Sequence, residues 1–348
     1  MSVAETSPVG SRVNAGAPLL EVEDLVVTYP VRRTLVAAAR HVPRTSVHAV
    51  DGVSFSVKTG EMVALVGESG CGKTTTAQAV LRLVTAQSGA IRFQGQDISA
   101  MSSTDLRPLR RRMQMIYQDP YESLDPRFRV RQAVEEPLLI HDIGGSKEER
   151  HQRVMDAMRR AELNPPELFA DRYPHELSGG QRQRVAIAAS LVLEPNLLVA
   201  DEPVSMLDVS VRAGVLTLLD GLRSRGDMGI LMITHDLSTA AHFADRIIVM
   251  YLGRIVEEGP AREVVRNPQH PYTRALLSVV PRRDPREQVT PQILVGETPN
   301  PVNIPSGCRF HPRCPAAEDR CKTIDPALVD AGPDHHAACV LVGEGAAR

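Results

Sequence analysis

The stretch Gly67-Glu68-Ser69-Gly70-Cys71-Gly72-Lys73-Thr74 constrains this chain more than any other. It matches G-x-x-x-x-G-K-[ST], a loop that cradles phosphates, with Thr75 following. An apolar strand-like run, Glu61 to Val66, precedes it, and good helix formers from Thr75 to Leu83 follow. Strand, glycine-rich turn and helix is the context in which the motif is meaningful. Glycines let successive backbone N–H groups face an anion with no Cβ in the way. The helix that follows adds free N–H groups and its positive dipole end. Lys73 is placed to reach the β- and γ-phosphates, and the Thr74 hydroxyl to ligate Mg²⁺.

The 348 residues are long for one domain and predict a main domain with extensions. Net charge is -2, from 40 basic and 42 acidic residues, which argues against a chain built to coat nucleic acid. No apolar run approaches the ~18 residues that cross a bilayer. Residues 1–18 lack the basic and apolar regions of a secretory signal and are expected to be a disordered lead-in.

Along the chain, Leu19 to Tyr29 alternates apolar and charged residues as a half-exposed strand does. A basic insertion spans residues 31–45. Strand character resumes at Val47 to Val57, with Asp51-Gly52 read as a turn, and again at Ala90 to Phe93. Residues 130–169 read as helical. Helices are expected at Gln183 to Leu193, Val209 to Arg223 and Leu237 to Ala244, and strands at Asn196 to Ala200 and Gly229 to Thr234. Leu252-Gly253 reads as a hairpin turn. After Gly259-Pro260, prolines become frequent, strands fade, and two short helices are expected (Ala261 to Arg266, Tyr272 to Val280). The alternation predicts an α/β fold: a P-loop NTPase core with a mostly parallel sheet, an antiparallel β subdomain, an inserted helical subdomain and a C-terminal extension.

Three further constellations bear on phosphate chemistry. Asn196 to Ala200 is a buried strand that delivers Asp201 at its C-terminal end, where ligands of such sheets bind. Asp201 suits the Mg²⁺ shell, and Glu202 beside it suits orienting and deprotonating a water. Leu177-Ser178-Gly179-Gly180-Gln181 opens a helix with a hydroxyl and two Cβ-free positions, a second anion site. Two phosphate sites in one chain suggest that one is used in trans.

Residues 19–260 resemble the ATP-binding cassette (ABC) ATPases, every motif standing in the family order. The resemblance implies that Tyr29 stacks on adenine and that Gly67 to Thr74 is the Walker A loop. It implies that Gln118 senses Mg²⁺ and the membrane partner, and that Ser178, Gly179, Gly180 and Gln181 form the signature. Asp201 and Glu202 become the Walker B acid and catalytic glutamate, and Ser205-Met206-Leu207-Asp208 the D-loop, with Met206 where Ala is more usual. His235 becomes the switch histidine. Two such domains pair head to tail, each ATP lying between one Walker A loop and the other's signature; a helical subdomain is expected at about 119–177.

Outside the core, the residues before Val47 to Gly52, Tyr117 to Arg127, His270 to Leu277 and Gly307 to Pro315 resemble the ATPases of oligopeptide and dipeptide importers, the second ATPase type in particular. This implies a peptide importer: a second, similar ATPase, two transmembrane permease subunits, an extracytoplasmic peptide-binding protein, no nucleic acid, and a peripheral place on the cytoplasmic face of the membrane. A soluble cassette acting on nucleic acid or ribosomes, and an importer of nickel or another solute, are the alternatives.

Cys308, Cys314, Cys321 and Cys339 crowd the extension, 261–348, as C-x5-C-x6-C-x17-C. In a reducing compartment disulfides are disfavoured and metal binding gains weight, and four unligated thiols stay open as an alternative because four Cys need not converge. Four thiolates suit Zn²⁺ or an iron–sulfur cluster. The missing C-x2-C lowers zinc, and the resemblance to importers that carry a [4Fe–4S] cluster here favours the latter. His311, His335 and His336 are candidate substitute ligands.

Overall fold

The computed structural model describes residues 18–31, 45–225, 228–280, 292, 294 and 296–342. The lead-in to residue 17 and most of the basic insertion lie outside them.

Strand Met62–Val66 (β3) is buried at every residue, as a strand covered on both faces must be. It is flanked in parallel by Gly229–Thr234 (β8) and Arg246–Tyr251 (β9). Leu197–Asp201 (β7) and Met113–Ile116 (β6) continue the parallel side, β7 on β8 and β6 on β7. On the other side Arg254–Pro260 (β10) returns antiparallel on β9 through the hairpin at Leu252-Gly253. Two apolar clusters cover the two faces of this sheet, one of them shared with the helical subdomain.

A second, antiparallel sheet is built from Ser46–Val57 (β2), Leu20–Pro30 (β1), Ser88–Phe93 (β4) and Gln96-Asp97 (β5), in that order. Asp51-Gly52 is not a hairpin turn. It lies inside β2, which pairs with β1 along its length. Gly52 takes a left-handed φ of 77° where the β1–β2 register shifts, so the glycine serves an irregularity in the ladder and not a reversal.

The helical region comprises Pro120–Ser123, Val130–Ile140 and Lys147–Arg160, packed on Gly179–Leu191, and Glu167–Ala170, packed on Val130–Ile140. Val154, Met155, Ala157 and Met158 supply the buried stripe of the long helix, whose outer face is charged.

Strands do not fade after residue 260. Val329–Gly332 (β11) and His335–Ala337 (β12) add to the main sheet, β12 pairing antiparallel with β10. The short strands were hidden because their sequence, Val-Asp-Ala-Gly-Pro-Asp-His-His-Ala, carries turn residues and no apolar alternation. The join is chemical as well as topological. Buried Glu257 of β10 accepts the backbone N–H groups of Gln269 (2.7 Å) and His270 (2.9 Å) and meets His335 Nε2 at 2.8 Å. His335 is thereby committed to Glu257 and His336 pairs with Asp330 (3.1 Å), which corrects the expectation that these histidines stand in as metal ligands. His311 Nδ1 lies 2.9 Å from the Cys308 carbonyl oxygen.

Candidate functional site

Four adjacent parallel strands end on the same edge of the sheet. β6 leads to Gln118, β7 ends on Asp201, β8 leads to His235, and β3 leads into Gly67. Ligands of open α/β sheets bind outside these carboxyl ends. The strand order therefore gathers residues that are far apart in the chain.

The phosphate loop between β3 and the helix Lys73–Val80 (α1) packs closely. A Cβ on Gly72 would come within 2.1 Å of the Ala49 carbonyl oxygen, and Gly72 has φ 109°, so no other residue fits. Gly67 is held as tightly, 2.3 Å from the Met250 carbonyl oxygen by the same construction. Lys73 is buried. Its Nζ donates to the Gly67 (2.7 Å) and Glu68 (3.0 Å) carbonyls, bridging the loop it belongs to. Ser69 and Gly70 are on the loop's outer turn, and Cys71 is buried beneath it. Burial pushes the Cys71 thiol up, so it is a neutral packing group. Thr75 follows Thr74 on the first turn of α1.

The Thr74 hydroxyl donates to Asp201 Oδ1 at 3.2 Å. Burial, followed by the repulsion of Glu202, raises the Asp201 carboxyl above its ordinary value, against the Thr74 hydrogen bond. A hydroxyl and a buried carboxylate held against its own ionisation form an all-oxygen pair that a hard divalent cation would relieve, so the donors fit Mg²⁺.

Glu202 takes a left-handed φ of 45°, a strained conformation for a side-chain residue, fixed by its N–H donating to Ile233 O (3.0 Å) and by Ser205 N–H and Oγ donating to its carbonyl. That twist turns the side chain towards the loops of the neighbouring strands. Gln118 Nε2 donates to Glu202 Oε2 at 3.2 Å, and His235 Nδ1 lies 3.3 Å from the same oxygen. The Gln118–Glu202–His235 group thus converges on one carboxylate oxygen and leaves Oε1 without a protein hydrogen bond among the described residues.

Two sets stand apart. Tyr29 is exposed near the end of β1, opposite Val47 of β2, two residues before the Ala49 carbonyl that walls Gly72. Ser178 caps the helix Gly179–Leu191 (α7), its hydroxyl accepting from Gln181 N–H (3.3 Å) while Gln181 Oε1 accepts from Ser178 N–H (3.0 Å). Gly180 faces Val211 so closely that a Cβ would sit 2.3 Å from it. Among the described residues no hydrogen bond joins this second anion site to the phosphate loop. Met206, after Glu202, and Val209, at the next helix start, are exposed apolar residues.

Sequence reasoning missed two features. Arg182 of α7 lies over the Tyr121 ring, 4.2 Å from its centre, linking this helix to the segment after Gln118. Glu68, an unspecified position of the motif, is ion-paired to Arg313 of the extension (2.9 Å). No local pattern signals either contact, because each joins segments over 60 residues apart.

The four cysteines lie in one neighbourhood. Burial pushes the Cys308 thiol up to about 11, and the nearby Cys339, Cys321 and Cys314 add to the rise. Burial likewise raises Cys314 and Cys339. Among the described residues, however, no group of three or more His, Cys, Asp or Glu side chains is arranged to hold a metal ion.

Two family models match: the ABC transporter domain over residues 50–205, and the C-terminal region of oligopeptide/dipeptide transporters over residues 256–321. An oligopeptide transport ATP-binding protein of Bacillus subtilis is 46% identical over 326 residues, covering 93% of this chain and 97% of that protein. A dipeptide transport ATP-binding protein of Escherichia coli is 44% identical over 315 residues, 90% of this chain and 92% of that one. Among solved structures, a dimeric ATP-binding cassette in a post-hydrolysis state bound to ADP and Pi superposes with a TM-score of 0.61 at 29% identity, covering 70% of this chain and 99% of the cassette.

Proposed function

Because the chain belongs to the ABC transporter ATPases, in the oligopeptide and dipeptide branch, we infer that the site just described binds and hydrolyses ATP to drive peptide import. The protein is an ATPase, and its relatives' names favour peptides over nickel or nucleic acid. The observation that carries the residue roles is the meeting of Gln118, Glu202 and His235 next to the Thr74–Asp201 pair and the Lys73 loop.

Lys73 exchanges its loop carbonyls for the β- and γ-phosphate oxygens, while the loop N–H groups and the α1 N-terminus take the remaining charge. Thr74, Asp201 and Gln118 would hold Mg²⁺, which when bound neutralises phosphate charge. Gln118 and His235 hold Glu202 by one oxygen, so Oε1 is free to accept a proton from water. As that proton moves to Glu202, the water oxygen bonds to the γ-phosphorus and the bridging P–O bond breaks, with ADP leaving. Tyr29 would stack on the base. The signature on α7, with Ser178 exposed, supplies no hydrogen bond to its own phosphate loop among the described residues, so it completes the site of a second ATPase, which in turn completes this one.

Among the described residues no helix is long and apolar enough to cross a membrane. The relatives' names, those of transport ATP-binding proteins, support a peripheral place at the cytoplasmic face, with transmembrane permease subunits receiving the motion of the helical region and the Gln118 loop, and a peptide-binding protein on the far side. Co-expression with candidate permease subunits, followed by reconstitution in vesicles, tests this. ATP-dependent uptake of a short peptide is expected; ATP hydrolysis that no peptide or binding protein alters would refute it.

The cluster expectation enters no step of this mechanism. What supports it is the convergence of Cys308, Cys314, Cys321 and Cys339; what opposes it is that no three of them form a ready ligand set. Anaerobic purification decides: iron and sulfide with a visible absorbance band would establish a cluster, and their absence would dismiss it.

A further inference from the structure

The phosphate loop is gripped from outside the cassette. Glu68 is the second residue of the loop, and its carboxylate takes a two-pronged ion pair from Arg313, Nη1 to Oε2 at 2.9 Å and Nη2 to Oε1 at 3.3 Å. Thr298 donates its hydroxyl to the same Oε2 at 2.6 Å and accepts from Arg313 Nη1 at 3.2 Å. The Glu68 N–H donates to the Tyr272 hydroxyl at 2.9 Å. Tyr272, Thr298 and Arg313 all belong to the extension, which thus holds both the side chain and the backbone of one loop residue.

The grip is rigidly mounted. Tyr272 is fully buried against Tyr251 and Phe310, ring centres 4.8 and 5.4 Å away. Arg313 ends a short 3-10 turn, His311–Arg313, next to Cys314, and its side chain is only 9% exposed. The neighbouring Arg309 is anchored to the Leu252 carbonyl (2.5 Å) and to Asp51. Bidentate arginine–carboxylate pairs of low exposure fix orientation as well as charge.

Two consequences for nucleotide follow. A bare carboxylate in a phosphate loop repels a triphosphate, and the guanidinium cancels that charge. The Glu68 carbonyl is also one of the two carbonyl acceptors that hold Lys73, so the pose of Glu68 sets where Lys73 waits. We propose that Arg313, with Thr298 and Tyr272, is a positioning device through which the C-terminal extension sets the nucleotide affinity of the phosphate loop. Arg313 acts through Glu68 and does not touch the reacting atoms. The proposal rests on the reading of Gly67 to Thr74 as the nucleotide site.

The test is a double-mutant cycle, with the Kd of a fluorescent ATP analogue read on the full-length protein and the KM and kcat of phosphate release read on the assembled transporter. Arg313→Gln is expected to weaken binding about tenfold and raise KM with kcat little changed, the size typical of losing a charge-assisted hydrogen bond. In a Glu68→Gln background the same change is expected to have almost no further effect. Arg313→Lys, which keeps the charge but loses the fork, should fall between. Thr298→Val, a neutral change, should weaken binding about threefold and serves if Arg313→Gln does not fold. Wild-type affinity in both Arg313→Gln and Thr298→Val, or equal loss from Arg313→Gln with and without Glu68, would overturn the proposal. Lys73→Ala is the separate control: wild-type binding there would instead refute the nucleotide site itself.

Discussion

Replacing Glu202 with glutamine separates chemistry from architecture. The side chain is largely buried and is met by Gln118 and His235 on one oxygen. Glutamine has the same length and branching, and it pays the same strain at φ 45°. The ground-state loss is the difference between a charge-assisted and a neutral hydrogen bond, about 1 kcal/mol. That corresponds to a melting shift of about 2–4 °C for a domain of this size. Losing a positioned general base costs about 10²–10⁴ in rate. At about 1.36 kcal/mol per decade this is roughly 3–5 kcal/mol of barrier. The Lys73 and Thr74–Asp201 contacts are untouched, so nucleotide binding should be kept. Phosphate release by the assembled transporter, analogue binding and thermal unfolding are measured on both proteins. A variant that binds ATP, melts within a few degrees of wild type and turns over at least a hundredfold more slowly is the expected result. Wild-type phosphate release, or lost binding with intact folding, would refute the role given to Glu202.

The seam between cassette and extension offers two more tests. Glu257→Ala leaves His335 and two backbone N–H groups buried without their acceptor, which should cost about 3–5 kcal/mol and lower the melting point by roughly 6–20 °C; a shift of under ~2 °C would show that the β10–β12 join contributes little. At Asp51, burial alone would raise the carboxyl, but the hydrogen bond and charge of Arg309 outweigh it and leave the acid below its ordinary 3.8. A lowered acid pKa contributes stability that is present above that value and lost as pH falls through the folded one. The melting-point gap between wild type and Asp51→Asn should therefore be constant near neutrality and close only below about pH 4; a gap that closes nearer neutrality would contradict the pairing.

Much of the site was legible because its parts are local. A phosphate loop needs glycines, a lysine and a helix start within a few residues, and the backbone geometry of that turn admits little else, as Gly72 against Ala49 shows. The apolar runs of β3, β7 and β8 announce strands buried on both faces. Asp51-Gly52 misled because a left-handed glycine serves a strand irregularity as readily as a turn, and only the pairing of β1 with β2 tells them apart. The strands β11 and β12 were illegible because three or four residues of mixed polarity become a strand only when β10 offers its edge.

Taken by itself, the amino-acid sequence determined the chemistry on offer: a phosphate loop, an acid pair at a strand end, a capped glycine-rich helix start and four crowded thiols. These depend on residue type and short spacing, and so on local backbone physics. Tertiary structure decided which of them meet. The order β9-β3-β8-β7-β6 brings Lys73, Thr74, Asp201, Glu202, His235 and Gln118 to one edge, and among the described residues no hydrogen bond joins Ser178 to Gln181 to them. It also closes the extension onto Glu68 through Tyr272, Thr298 and Arg313. Contacts between segments that far apart depend on how strands stack and which edge is left open, and no short window of sequence carries that information.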